Sequence, residues 1–128
     1  MSNILVVEDE ANVRKLVAVN LISRGYRVYE AQDVQQALGW LHAQPLDLIV
    51  LDIKLPDLTG WDLLAKIDAD AALEFSGPVL VMTASIMDAQ ADLDRYPLVV
   101  EVLVKPFSAA KLVAATERAL QLTLPHRT

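Results

Sequence analysis

The chain predicts an α/β fold, a doubly wound (βα)5 sandwich around a five-stranded parallel sheet. Three observations carry that prediction. The runs Ile4–Val7, Leu48–Leu51 and Val79–Met82 are short, almost purely apolar and rich in β-branched residues. Runs of this kind read as strands buried on both faces of a parallel sheet. They alternate with segments of helical period along the whole chain, without a linker, repeat or low-complexity stretch. Such alternation implies right-handed crossovers between parallel strands. Finally, several of the runs end on a residue able to do chemistry, where an open α/β sheet places its ligands.

The elements follow in order. Ile4–Val7 is the first strand. Ala11–Arg24 is helical, with Val13, Leu16, Val17 and Leu21 on one face and Gly25 just past its end. Val19 and Ile22 widen that stripe beyond what one core contact needs. Arg27–Glu30 is a short strand. Asp33 can cap a helix over Val34–Ala43, closed by Pro45. Leu46–Leu51 is a strand, and Pro56, Asp57, Thr59 and Gly60 form a turn before a helix at about Trp61–Asp70. Gly77-Pro78 introduces the strand Val79–Met82. Ser85–Tyr96 is weakly helical. Its thin apolar stripe of Ile86, Ala89, Leu93 and Tyr96 places it among the least stable elements. Val99–Val104 is the last strand. Ser108 caps a final helix to about Leu122, and the chain is expected to be one domain over 1–128, with a core at 3–122 and a tail at 123–128.

Bulk properties narrow the function. At 128 residues one domain with a real core is expected. A net charge of −6 and a pI near 4.7 argue against a nucleic-acid surface within this chain. No cysteine is present, which excludes disulfides, thiolate metal sites and a cysteine nucleophile. The N-terminus lacks the basic and long apolar regions of a signal peptide, and no apolar stretch reaches transmembrane length. A cytoplasmic domain without membrane contact is the expectation.

Three acids define the candidate site. Glu8 and Asp9 follow the first strand, and Asp52 follows the third. Clustered carboxylates repel one another and are costly to desolvate unless a cation neutralises them. A hard cation with oxygen ligands answers that need, and Mg²⁺ suits a site with few protein carboxylates and open water positions. Thr83 ends the fourth strand, and Lys105, before Pro106, ends the fifth. Carboxylates beside Mg²⁺, a hydroxyl donor and an ammonium make a site for a transferring phosphoryl group. Metal and lysine would stabilise charge on its oxygens, and a carboxylate can be the nucleophile.

With these residues in register, the sequence resembles the receiver domain of two-component response regulators (CheY-like) from residue 3 to about 122. The matching pieces are Ile4–Glu10, then Leu51-Asp52-Ile53-Lys54-Leu55-Pro56-Asp57-Leu58-Thr59-Gly60, then Met82-Thr83-Ala84, then Lys105-Pro106-Phe107. The resemblance implies a flavodoxin-like strand order 2-1-3-4-5. It implies Asp52 as phosphoacceptor, Asp9 and Asp52 as direct Mg²⁺ ligands, the Lys54 backbone carbonyl as a third, and Glu8 acting through water. It implies that Thr83 and Lys105 contact the phosphoryl oxygens and that the Lys105–Pro106 peptide is cis. The implied partners are a sensor histidine kinase or phosphotransfer protein and a downstream protein or output domain. A homodimer through the 84–122 face is a further possibility; direct contact with nucleic acid is not implied. The implied class is a signalling switch rather than an enzyme, with self-catalysed phosphoryl uptake and autodephosphorylation at most. Val102 stands where many receivers carry an aromatic residue, and Arg95-Tyr96-Pro97-Leu98 where they often have a glycine-containing turn.

Plainer readings compete at single residues. Acids after a strand, such as Asp9 and Glu10, commonly serve only the positive end of the next helix. Trp40 and Trp61 sit at core-facing helical spacings. Lys54, His42 and His126 read as surface residues, and Asp88, Asp92 and Asp94 as a solvated face. Other functions compete for the whole chain. An FMN module would need a hydroxyl- and glycine-rich phosphate loop where Glu8-Asp9-Glu10 stands. An aspartyl phosphohydrolase would need a second Asp at its nucleophile, where Asp52-Ile53-Lys54 supplies none. A degenerate receiver serving only as a binding module is the remaining alternative, which Val102 sustains and the intact acid–lysine set opposes.

Overall fold

The computed structural model describes residues 2–90 and 93–121. It contains β1 (Asn3–Val7), α1 (Ala11–Ile22), β2 (Arg27–Ala31), α2 (Val34–Ala43), β3 (Leu48–Asp52) and α3 (Gly60–Ala69). A 3₁₀ turn at Ala71–Leu73 precedes β4 (Val79–Thr83) and α4 (Ile86–Gln90). A second one at Leu93–Arg95 precedes β5 (Val99–Val104) and α5 (Ala109–Gln121). All strand pairs are parallel, in the order β2-β1-β3-β4-β5. The expected strand order and fold class are those observed.

The two-residue period of a strand divides the core in two. Leu5, Val7, Ile49, Leu51, Val79 and Val81 face α2, α3 and α4. Their alternates Ile4, Val6, Leu48, Val50, Leu80 and Met82 face α1 and α5. Because helices cover both sides, every residue of β3 and β4 is buried. This is why those runs carry no polar alternation.

Local chemistry sets the helix ends. Asp33 accepts the N–H of Gln36 at 2.8 Å and starts α2 at Val34. Thr59 and Asp62 form a reciprocal capping box at α3. Gly25, past the end of α1, has φ +91°, which a side chain would disfavour. Trp61 stacks on Tyr96, with ring centroids 5.4 Å apart and planes 15° from parallel. Trp40 packs on Tyr29 and donates its indole N–H to the Glu30 carbonyl. Both tryptophans therefore fill the core margin, as their spacing predicts.

Several expectations need correction. The first helix ends at Ile22, not Arg24, and Leu16 points out: it is 56% exposed, beside Val19 at 63% and Ile22 at 54%. Val17, Ala18 and Leu21 are the residues α1 buries. The third strand begins at Leu48, since Leu46 lies outside the ladder. Where a helix over Ser85–Tyr96 is expected, the described residues form α4 at Ile86–Gln90 and a 3₁₀ turn at Leu93–Arg95. Within α4 Ala89 is buried, but Ile86 is exposed, so the anticipated stripe is only partly used. His42 and Asp94 are exposed as expected. Asp92, Leu122, the 123–128 tail and His126 lie outside the described residues, as does the side chain of Asp88.

Candidate functional site

The parallel sheet carries β1, β3, β4 and β5 to one edge with their carboxyl ends in register. Val7 pairs with Leu51, Asp52 with Met82, and Thr83 with Val104. Glu8, Asp52, Thr83 and Lys105 follow or end these strands and are thereby brought together, with Asp9 one residue further on. One carboxylate oxygen each from Glu8, Asp9 and Asp52 lies within 4.8 Å of the other two. Glu8 is fully buried, Asp52 is 5% exposed and Asp9 is open to solvent.

Lys105 is the counter-charge. Its Nζ lies 2.5 Å from Glu8 Oε1 and 2.9 Å from Asp52 Oδ2. The strand that delivers it is fixed by a 2.7 Å bond from the Lys105 N–H to the Thr83 carbonyl, and the Lys105–Pro106 peptide is cis. Burial would lower the Lys105 pKa, but its bonds to Glu8 and Asp52 outweigh that and raise it. Burial pushes Glu8 the other way, up to about 7, only partly offset by Lys105 and by the Glu10 N–H at 3.1 Å. Proximity to Asp52 adds to the rise. One ammonium among three acids leaves negative charge uncompensated. An oxygen-only donor set in that condition fits a hard divalent cation.

The acceptor loop is closed around Asp52. The Lys54 N–H donates to Asp52 Oδ1 at 3.2 Å, Lys54 bridges Thr59, and the Gly60 N–H donates to the Ile53 carbonyl at 2.7 Å. A Cβ at Gly60 would stand 2.6 Å from the Asp52 carbonyl oxygen, so only glycine lets α3 start this close to β3. The side chain of Lys54 is exposed, which leaves its backbone as the part facing the acceptor turn.

Thr83 is placed differently. Its Oγ1 accepts the Ser85 N–H at 3.1 Å and donates to the Ser85 carbonyl at 3.0 Å. It stands at the same sheet edge, but its hydroxyl is engaged with the start of the α4 segment. Sequence reasoning missed Ser85 as that partner. It also missed Asp57, read only as a turn residue, whose carboxylate accepts the N–H groups of Val34 and Gln35 across 23 and 22 positions. No local pattern signals a pairing at that separation.

Comparisons with known proteins agree with this geometry. A sequence model described as the response regulator receiver domain matches residues 4–117. The phosphate regulon transcriptional regulatory protein PhoB of Pseudomonas aeruginosa is 34% identical over 128 residues, covering 95% of this chain and 53% of its own length. The KDP operon transcriptional regulatory protein KdpE of Escherichia coli is 33% identical, covering 94% of this chain and 52% of its own. The chain thus spans about half the length of these curated relatives. Among solved structures, the non-phosphorylated HemR receiver domain of Leptospira biflexa superposes with a TM-score of 0.81 at 33% identity, covering 98% of this chain and 99% of that one. Chemotaxis protein CheY4 of Vibrio cholerae superposes at 0.83 and 26% identity, covering 93% and 98%.

Proposed function

The chain belongs to the response regulator receiver domain family, and from that premise we propose that it is a phosphorylatable switch of a two-component phosphorelay. Receivers are signalling switches rather than conventional enzymes, and the chain is read as one such domain acting in the cytoplasm. The observation that carries the reading is the Asp52 carboxylate, 5% exposed, with Lys105 at 2.9 Å and Glu8 and Asp9 beside it.

In the proposed reaction, an Asp52 carboxylate oxygen attacks the phosphorus of a phosphohistidine on a sensor kinase or phosphotransfer protein. An O–P bond forms as the P–N bond breaks, and the imidazole nitrogen keeps the electron pair. Lys105 exchanges part of its contact with Glu8 and Asp52 for a phosphoryl oxygen, neutralising charge that develops there. Thr83 gives up Ser85 and donates its hydroxyl to another phosphoryl oxygen. Asp9 and Asp52, with the Lys54 carbonyl, would hold Mg²⁺ directly, and Glu8 through water. When bound, the ion supplies charge neutralisation at the transferring group.

Release of Ser85 by Thr83 is the proposed output step, because Ser85 opens the α4 segment. Ile86, Met87 and Val104 are exposed apolar residues around that segment. They make the 84–122 face a candidate surface for a downstream partner or a second copy. The relatives are named transcriptional regulatory proteins, so the downstream output proposed for a longer protein containing this domain is control of transcription; direct nucleic-acid contact is not proposed for these 128 residues. Val102, half-buried against the core, favours a second reading, a receiver used only as a binding module.

Mg²⁺ with acetyl phosphate, followed by intact mass, tests the choice. The wild-type chain is expected to gain one phosphoryl group, and Asp52→Asn to stay folded and gain none. Uptake surviving in Asp52→Asn would remove Asp52 as acceptor. No uptake in the wild type would favour the binding module.

A further inference from the structure

Asp57 lies at the tip of the loop that joins β3 to α3, and it reaches a second helix. It is exposed, yet both carboxylate oxygens are occupied. Oδ1 accepts the N–H of Val34 at 3.1 Å and of Leu58 at 2.8 Å, and Oδ2 accepts the N–H of Gln35 at 3.2 Å. Val34 and Gln35 open α2, where N–H groups have no acceptor within the helix and the positive end of the helix dipole favours an anion. The helix has its own cap besides, since Asp33 takes the N–H of Gln36. The bonds to Asp57 therefore join the two elements, supplying acceptors to the first N–H groups of α2 and an anchor to the loop.

The base of that loop is tied to the site. It is closed by the Gly60–Ile53 bond and the Lys54–Thr59 bridge, and the Lys54 N–H donates to Asp52 Oδ1. Asp57 fastens the free end. The slight burial of its carboxyl acts to raise its pKa, but the N–H bonds from Val34, Leu58 and Gln35 outweigh this and hold it below the ordinary carboxylate range.

We infer that Asp57 is a positioning residue for the cation site. It pins the loop to the start of α2 and so fixes where the Lys54 backbone carbonyl stands relative to Asp9 and Asp52. This rests on the reading of Glu8, Asp9, Asp52 and Lys54 as a Mg²⁺ site. Mg²⁺ demands a near-octahedral shell at short distances. A carbonyl on an untethered loop would have to be ordered as the ion arrives, and that cost is subtracted from affinity.

Calorimetric titration with Mg²⁺ of the wild type, Asp57→Ala, Asp57→Asn and Asp33→Ala tests it. Asp57→Ala is expected to weaken Mg²⁺ binding about three- to tenfold, the scale of one or two lost hydrogen bonds. Asp57→Asn keeps an acceptor oxygen and is expected to restore most of that loss. Asp33→Ala removes a cap from the same helix without touching the loop, and is expected to lower thermal stability while leaving Mg²⁺ affinity at the wild-type value. Wild-type affinity in Asp57→Ala would overturn the positioning role. So would equal weakening by Asp57→Ala and Asp33→Ala, which would assign the effect to the stability of α2. A wild-type chain that fails to bind Mg²⁺ would overturn the cation site itself, and the role of Asp57 with it.

Discussion

Two neighbouring strands end in residues of the same site, yet the segments that follow them are held in very different ways. After Asp52 the chain is closed by the Gly60–Ile53 bond, the capping box of Thr59 and Asp62, the approach of Gly60 to the Asp52 carbonyl, and the reach of Asp57 to α2. It then enters a ten-residue helix that buries Leu63, Leu64 and Ile67. After Thr83 the contacts include the Thr83–Ser85 pair, a five-residue helix with Ala89 buried, and the Tyr96–Trp61 stack at the far end. A new charge at Asp52 would therefore meet a rigid wall on one side and a weakly held segment on the other. A perturbation moves the element with the fewest buried contacts, and under the proposed switch the β4–α4 side is the one that would transmit the signal.

The strongest challenge to this contrast is Gly60→Ala. The added methyl would stand 2.6 Å from a backbone oxygen rather than a flexible side chain. Relief requires α3 or the end of β3 to shift, at a cost of about 1–3 kcal/mol. Urea unfolding is expected to show that loss. An unchanged midpoint would mean that the β3–α3 junction is softer than its contacts imply.

The site's own charge sets the next effect. Glu8 is held near pKa 7 in the folded chain against an ordinary 4.5. A carboxyl raised by folding contributes stability below its unfolded pKa and loses it as pH rises through the folded value. Without divalent metal, stability is expected to fall as pH rises from about 4.5 to about 7, and Glu8→Gln to flatten that slope. Lys105, raised above 10.5, would lose its contribution only at pH values above this window. Thermal melts across the range in the presence of a chelator would measure both. A rising profile in the wild type would contradict the raised pKa of Glu8.

The smallest effect on stability but the most telling on the contrast is Thr83→Ala. It removes a hydroxyl pairing worth about 0.5–1.5 kcal/mol. Hydrogen exchange with Mg²⁺ and beryllofluoride is expected to change protection across 84–104 in the wild type and not in Thr83→Ala. Changes confined to α1, whose exposed Leu16, Val19 and Ile22 offer a rival surface, would place the output on the opposite layer. Lys105→Ala is expected to be the more damaging to phosphoryl uptake, because it removes a full charge rather than one hydrogen bond.

What the sequence determined by itself is the periodic and the local. The apolar runs at Ile4–Val7, Leu48–Leu51 and Val79–Met82 can be satisfied only between two helical layers, so they announced a covered parallel sheet. Asp33, Thr59 and Gly25 act within a few residues of themselves, and their roles as cap, turn and helix stop were legible for that reason. The residues of the candidate site were legible too, since each sits at or just after the end of a strand. Tertiary structure decided the rest. Leu16 fits a helical stripe, but α1 packs on β2 and α5 through Val17, Ala18 and Leu21 and leaves it exposed, and helical period alone does not fix that rotation. The thin stripe of Ser85–Tyr96 does not dictate the 3₁₀ turn at Leu93–Arg95 or the Tyr96–Trp61 stack, which were set by packing. Asp57 meets α2 only because β3 and its crossover bring residues 34 and 57 together. Hydrogen bonds between such distant positions follow from the arrangement of the sheet, and a local reading of residue types has no means to express them.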